Sequence, residues 1–557
     1  MNKKKSVLLI LAAGLLTISG CTKQEDTYRE SLVIDVYDSL TDYEGMQTGW
    51  YAQVLEEKFQ LQLNFLDKSQ EDSLKQADIV VCNYEDVSPQ ELISKGYLLN
   101  LETLLEEGFM ENSELLDYRD SYEYWNGQLV QEGVYVLPTH VSRLSKLTPS
   151  EENIPTYGMY LNWEAYENIN MPDIDDMEEF LDVLEEMQKA GEAEGISKDG
   201  ILLYTDDDTD LLDHITLLMG AMGGLREGFL INTEGKHEEL LDKDSLYLNA
   251  LEWLREAYHR GLIPEDSDEL SQEQVMERYQ KGQVLLSLQP QENVGGYALA
   301  PVEDMKIVSY GCNPLGHLEQ YVGISAHAED PDRILEFIGW LYSTEGIMLS
   351  GTETDLKAAG PLGLTWKMED GNPVLTEFGE QVFAKQIAVS FGGTKAETDT
   401  VDVQMPAEWG AGTWQQGTCK LNLQTVTTVE VSPSGFAYNY TLWNTTIDHF
   451  TNSDASWQER MEALEPMEYL IDHNRLAIIP SYAPDTMVKS YDHPQEIVDK
   501  RAACRQVIVD YSWKMIRAES EEQSRKLLKE MKIELLSVGY EEVLEYDREW
   551  VSAVELP

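Results

Sequence analysis

Trp409 and Trp414 sit with the carboxylate of Glu408 in a stretch broken by Gly410, Gly412 and Gly417. Neither a helical nor a strand period accounts for these two rings, so the stretch reads as loop. Trp443 closes the same segment, 401–443, which is rich in Trp, Tyr, Gly and Thr. A second pair, Asp38 and Trp50, flanks the polar loop that follows the first strand pattern, and Tyr204 ends another strand-like run. Aromatic faces stack on C–H-rich surfaces, and carboxylates accept hydroxyl protons. The chemistry these residues offer is non-covalent recognition; a packed surface loop around 405–443 is the alternative.

Residues for bond-making chemistry are missing from the pattern. There is no G-x-S-x-G, H-E-x-x-H or phosphate-binding loop motif. Asp206, Asp207, Asp208, Thr209 and Asp210 suggest calcium, but an EF-hand loop needs Gly at its sixth position and Glu at its twelfth. Leu211 and Leu217 stand there, so a solvated acidic loop is expected. His140, His214 and His317 have no ligand-spaced partners. Cys82, Cys312, Cys419 and Cys504 are scattered without C-x-x-C spacing, which is neither a zinc site nor a disulfide framework; one disulfide stays open. With 102 acidic residues, carboxylate pairs are unavoidable and carry no catalytic meaning. No metal, no cofactor and no enzymatic activity are expected.

The chain has 557 residues, 42% of them hydrophobic, which allows two or three large domains at about 150 residues each. Its net charge of −61 argues against nucleic acid and anionic membrane as partners. Lys3, Lys4 and Lys5 precede an apolar run, Val7 to Thr17, too short to span a bilayer comfortably. The run ends in Ile18-Ser19-Gly20-Cys21, which resembles a bacterial lipobox. That resemblance implies cleavage before Cys21, lipid on its sulfur and a membrane anchor of two or more acyl chains. The implied location is the extracellular face of a bacterial cell membrane. Residues 22–30 read as a tether.

The elements that must position the recognition residues alternate between strand and helix, which implies mainly parallel sheets flanked by helices. Ser31–Tyr37, Leu61–Phe65 and Asp78–Val81 read as strands, and Trp50–Phe59 reads as a helix. Trp125-Asn126-Gly127-Gln128 reads as a turn before the strand Gly133–Pro138. Tyr157–Leu161, Gly200–Tyr204, Gln283–Leu288 and Tyr321–Ser325 have strand character. Asp176 and Glu179 open a helix, and Tyr247, Leu251, Leu254 and Tyr258 form a second helical stripe stopped by Gly261. Pro331 opens a third, at the favoured first position. Trp253, Trp340 and Trp513 fall in such stripes and read as core. The C-terminal end is helical, with Leu527, Leu528, Met531, Leu535 and Leu536 in register.

Five stretches, in order, resemble the family 1 extracellular solute-binding proteins of bacterial ABC importers, the mostly oligosaccharide-binding family and its long lipoprotein subgroup. Asn126-Gly127-Gln128 before Val134–Pro138 resembles that family's "DGK.YGLP" turn and crossing strand. Tyr157–Asn162 with the helix from Asp176 resembles the opening of its second lobe. Leu246–Pro264 with Tyr279–Gly282 resembles "AL..L..LY..GLI…F..GK". Val322–Ser325 with Pro331–Gly346 resembles "GIS…PE.A..FLDWLYSEEG". Gly363–Gly371 resembles a segment of the lipoprotein-type members.

The resemblance implies an α/β, two-lobed periplasmic-binding-protein-like fold with a hinge of crossing strands and ligand in an interlobe cleft. Lobe 1 would take 31–140 and 284–340, lobe 2 would take 157–283 and 345–557, and 141–156 and 341–344 would be the crossovers. The implied function is capture of a carbohydrate for ABC permease subunits, with Asp38, Trp50, Tyr204, Glu408, Trp409, Trp414 and Trp443 as ligand-binding candidates. Gln289-Pro290-Gln291 departs from the family, where an aromatic is common. A surface glycoside hydrolase and a ligand-sensing lipoprotein are the alternatives.

Overall fold

The computed structural model describes residues 30–383, 402–443, 452–480 and 494–554, apart from 71, 130, 197, 206–208, 222–224, 234–235, 291–293, 295 and 304–305. The signal segment, Cys21 and Asp206 to Asp208 lie outside the described residues. The chain forms two compact units. Among described residues the first holds 30–144, 313–383 and 402–443, and the second holds 145–312 and 452–554.

The first unit is built on a six-stranded sheet. In chain order its strands are β1 (Leu32–Asp38), β2 (Gly45–Met46), β3 (Leu61–Phe65), β4 (Ile79–Asn83), β5 (Leu137–Thr139) and β6 (His317–Ile324), arranged β2-β3-β1-β4-β6-β5. β3, β1 and β4 run parallel, with Leu32 opposite Leu61 and Asp38 opposite Val81; β6 runs antiparallel to both β4 and β5. The carboxyl ends of β1, β4 and β5 and the start of β6 therefore share one edge. Alternation puts Ile34, Val36, Leu61, Leu63, Ile79 and Val81 into one core. Helix α1 (Gly49–Phe59) covers that core with Trp50, Tyr51, Leu55 and Phe59, and Gln60 ends it in a left-handed cap at φ 52°. The helix Pro331–Leu341 starts as its sequence says: Asp330 accepts from the Arg333 N–H and Pro331 takes the first turn.

In the second unit a three-stranded antiparallel sheet joins Leu286–Ser287, Tyr160–Asn162 and Tyr297–Leu299, and Ile307–Tyr310 pairs in parallel with Leu476–Ile479. Helices carry most of its core. Met177–Ala193 is capped by Asp176, whose carboxylate accepts from the Glu178 and Glu179 N–H groups at 2.9 Å each. Leu246–His259 buries the expected stripe, including Trp253. Gln495–Ile516, Glu521–Ser537 and Tyr540–Val554 form the C-terminal layer. Among the described residues no helix is long and apolar enough to cross a membrane.

The structure changes five sequence expectations. Residues 345–383 and 402–443 pack with the first unit, not the second, because their partners are the first unit's sheet and α1. Residues 284–312 go to the second unit, where Leu286–Ser287 and Tyr297–Leu299 flank Tyr160–Asn162. Residues 341–344 are the junction of two helices inside the first unit, Ser343 capping the second by accepting from the Gly346 N–H. Trp125, Asn126 and Gly127 are the last turn of the helix Arg119–Gly127 rather than a turn; the Asn126 amide side chain bonds Tyr122 O, Val136 O and the N–H groups of Tyr135 and Val136. Gly200–Tyr204 makes no ladder. Ile201 donates to Leu262 O and Leu203 to the Ser267 hydroxyl instead.

Candidate functional site at the carboxyl edge of the first unit

In open α/β sheets ligands meet the carboxyl ends of the strands. In the first unit that edge is bordered by an irregular strap, residues 402–443. Anchors hold it at intervals. Asp38, the last residue of β1, is 2% exposed; its Oδ1 accepts from the Leu40 N–H and its Oδ2 from the Asn422 N–H, both at 2.9 Å. Burial pushes its carboxyl up to about 6, against those two N–H donors and Lys68. Gln47 donates to Thr418 O and accepts from the Lys420 N–H, each at 2.9 Å. His140 and Val141 donate to Gln424 O and Thr425 O, and Thr427 returns a bond to Val141 O. Glu430, fully buried, accepts from the Ser142 hydroxyl at 2.6 Å and the Arg143 N–H at 3.1 Å.

The strap's tryptophans divide. Trp414 is buried, stacked on Trp50 at 5.1 Å and 18°, with Phe378 and Phe383 edge-on. Two glycines permit this packing. A Cβ at Gly49 would stand 2.4 Å from Gly417 Cα, and Gly49 has φ +74°, so α1 and the strap touch backbone to backbone. Trp443 is buried against Trp366 and donates its indole N–H to Ala437 O at 2.8 Å. The sequence expectation that Trp50, Trp414 and Trp443 offer ring faces to a ligand is thus corrected: those faces belong to the core.

Trp409 and Glu408 differ. They lie in the short turn Ala407–Trp409, with Trp409 half-buried and Glu408 exposed. Gly410, at φ +106°, lets this turn sit against Gln53 on the outer side of α1. Further along the strap, half-buried Lys420 lies 5.9 Å from the Tyr43 ring and donates to Gln415 O and the Thr418 hydroxyl; burial lowers its pKa. Tyr204 belongs to the second unit, half-buried, its ring 4.9 Å from that of His214. Of the seven expected residues, Asp38 ends β1, Trp50 lies in α1, Glu408, Trp409, Trp414 and Trp443 lie in the strap, and Tyr204 lies in the second unit.

Sequence reasoning missed His140 and His317. They are 177 positions apart by their numbering, yet strand pairing sets their rings 6.0 Å apart at this edge. A cavity of about 450 Å³ opens at the opposite edge, ahead of β5, lined by Glu102, Glu106, Arg119, Tyr122 and Glu132 among others. Its place at the amino ends of the strands sets it apart from the candidate site. All four described cysteines are buried and none is in a disulfide, and among the described residues no three His, Cys, Asp or Glu side chains group as metal ligands.

Similar solved structures bear on the class. The HMO-binding ABC-transporter-associated solute-binding protein of Bifidobacterium longum infantis is 14% identical, with TM-score 0.52 over 94% of this chain and 99% of that one. An extracellular solute-binding protein of Bifidobacterium longum subsp. infantis is 12% identical, with TM-score 0.52 over 94% and 98%. The S. pneumoniae substrate-binding protein FusA, as an EF-hand mutant in complex with fructo-nystose, is 12% identical, with TM-score 0.50 over 94% and 99%. No protein-family model matches the chain, and no curated protein matches it in sequence. The fold is that of the ABC-transporter solute-binding proteins, the class the sequence resembles.

Proposed function

We propose that this protein is the lipid-anchored substrate-binding component of an ABC importer and captures a carbohydrate, without turning it over. The observation that carries the reading is the solute-binding fold together with a half-buried aromatic and an exposed acid, Trp409 and Glu408, on the strap that Asp38, His140 and Val141 anchor at the carboxyl edge of a parallel sheet. Tyr43, on the loop after β1, and Lys420, further along the strap, add a ring and an ammonium donor 5.9 Å apart. Trp50, Trp414 and Trp443 support the strap from within. The basic start, the short apolar run and Ile18-Ser19-Gly20-Cys21 support an anchor on Cys21 at the outer face of the membrane, beside permease subunits.

The test is a thermal-shift panel of nystose, lacto-N-tetraose and maltotetraose, followed by calorimetry on any sugar that stabilises the protein. The sugar should return chemically intact after long incubation; new reducing ends would replace this reading with a hydrolase. Trp409→Ala should cost about 1–3 kcal/mol of binding, the scale of one buried aromatic contact, and lower the unliganded melting point less than Trp414→Ala does, because Trp409 only edges the core that Trp414 fills. Cys21→Ser should leave the membrane fraction; unchanged fractionation and processing would refute the anchor.

A further inference from the structure

His140 and His317 meet at the carboxyl edge on backbone that is irregular and tightly held. His140 follows the last residue of β5 with φ +53°, a conformation uncommon outside glycine. Its N–H is bound to Gln424 O on the strap at 3.2 Å. His317 opens β6 directly after Gly316, whose φ is +64° and where a Cβ would stand 2.5 Å from Thr139 O. The turn beneath it is fixed by Asn313, which donates to Gly316 O and accepts from the Leu315 N–H. The β5–β6 register shifts between His317 and Tyr321. Irregular pairing of this kind re-aims side chains, and non-glycine residues kept at positive φ cluster where function needs them.

The rings stand edge to face at 84° and both are half-buried. His140 Nδ1 lies 3.1 Å from the Thr139 hydroxyl, and its Nε2 makes no hydrogen bond among the described residues. Among the described residues the ring nitrogens of His317 make no hydrogen bond. The groups around them on β5, β6, the 313–316 turn and the strap are Thr139, Gly316, Gln320 and Gln424, none of them charged. Burial keeps both below the usual histidine range, His140 at about 4, where the His317 imidazole adds to the effect of burial. Each is therefore neutral at ordinary pH, with one donor and one acceptor nitrogen. A sugar hydroxyl also gives one proton and takes one.

We propose that His140 and His317 form a hydroxyl-reading pair that contacts the captured carbohydrate directly. The inference rests on the carbohydrate-binding reading above and names two of its contact residues.

The test uses the full chain, with nystose, lacto-N-tetraose and maltotetraose as probes. His317→Gln keeps a donor and an acceptor, whereas His317→Leu keeps neither; His140→Asn tolerates the positive φ, and His140→Ala removes the ring. For a sugar that stabilises the wild type, His317→Leu and His140→Ala should each weaken affinity about ten-fold, while His317→Gln and His140→Asn stay within about three-fold. The imidazole nitrogen resonances of the wild type should shift on saturation with that sugar, a readout independent of whether a variant folds. Undiminished affinity in the Leu and Ala variants, or unmoved imidazole resonances, would overturn the pair and leave the carbohydrate reading standing. Failure of every sugar to stabilise the wild type would overturn that reading, and the pair with it.

Discussion

The strap of the first unit and the C-terminal helices of the second are both long additions to a small sheet, but they are held in different ways. Gln495–Ile516, Glu521–Ser537 and Tyr540–Val554 satisfy their own backbone and need only an apolar stripe, so Ser512 and Asp547 are their only fully buried polar side chains among the described residues. The strap has almost no ladder of its own. It is anchored by buried side chains that take up backbone donors and acceptors one at a time: Asp38, Gln47, Gln424, Glu430 and Asn439. Irregular backbone can be buried only when such partners exist. The difference teaches where the first unit is vulnerable: single polar residues carry what a whole helix carries in the second.

The sharpest way to break that contrast is Trp414→Ala. Its ring fills the space between Trp50, Phe378 and Phe383. The loss should be about 3–5 kcal/mol, the scale of large aromatic deletions from cores. Calorimetry should show it in the first unit's transition, with the second unit's unmoved. Next comes Glu430→Gln, which places an amide against the Ser142 hydroxyl and the Arg143 N–H. A cost of about 1–3 kcal/mol by chemical denaturation is expected for leaving a buried donor unmet. Loss of structure in the second unit from either variant would contradict the comparison.

The smallest effect is a slope. The carboxyl of Asp38 sits at about 6 in the folded protein against 3.8 ordinarily. Between those values the native state holds a proton that the unfolded chain has released, so this group's contribution is complete at low pH and is lost as pH rises through about 6. Asp38→Asn removes the titration. The variant's stability relative to wild type should therefore improve on going from pH 4 to pH 7, and a pH-independent difference would refute the shift.

Much of this frame was legible in the chain. Helix starts at Asp176 and Asp330 were written in cap chemistry, and the Leu246–His259 stripe in its spacing, because those signals are local. The strap was not. Trp409 and Trp414 share one glycine-rich stretch and look alike by composition, yet one is half-exposed and the other sealed. What separates them is the contact of Gly417 with Gly49 and the stacking on Trp50, made hundreds of positions away. Asp38 had the right place at the end of β1, but its oxygens were already committed to the Leu40 and Asn422 N–H groups, which no spacing reveals. The same blindness sent 345–383 and 402–443 to the wrong unit and hid the meeting of His140 with His317, which exists only once β5 and β6 pair.

The buried thiols, none of them in a disulfide, have a use of their own. Cys82 and Cys419 lie inside the first unit, Cys312 and Cys504 inside the second, and burial pushes Cys82 and Cys419 up to about 12 and Cys504 to about 11. A thiol so placed is mute toward oxidants and alkylating reagents until the structure around it opens. Each half of the molecule thus carries its own pair of clocks, and timed alkylation without denaturant reads how often that half breathes.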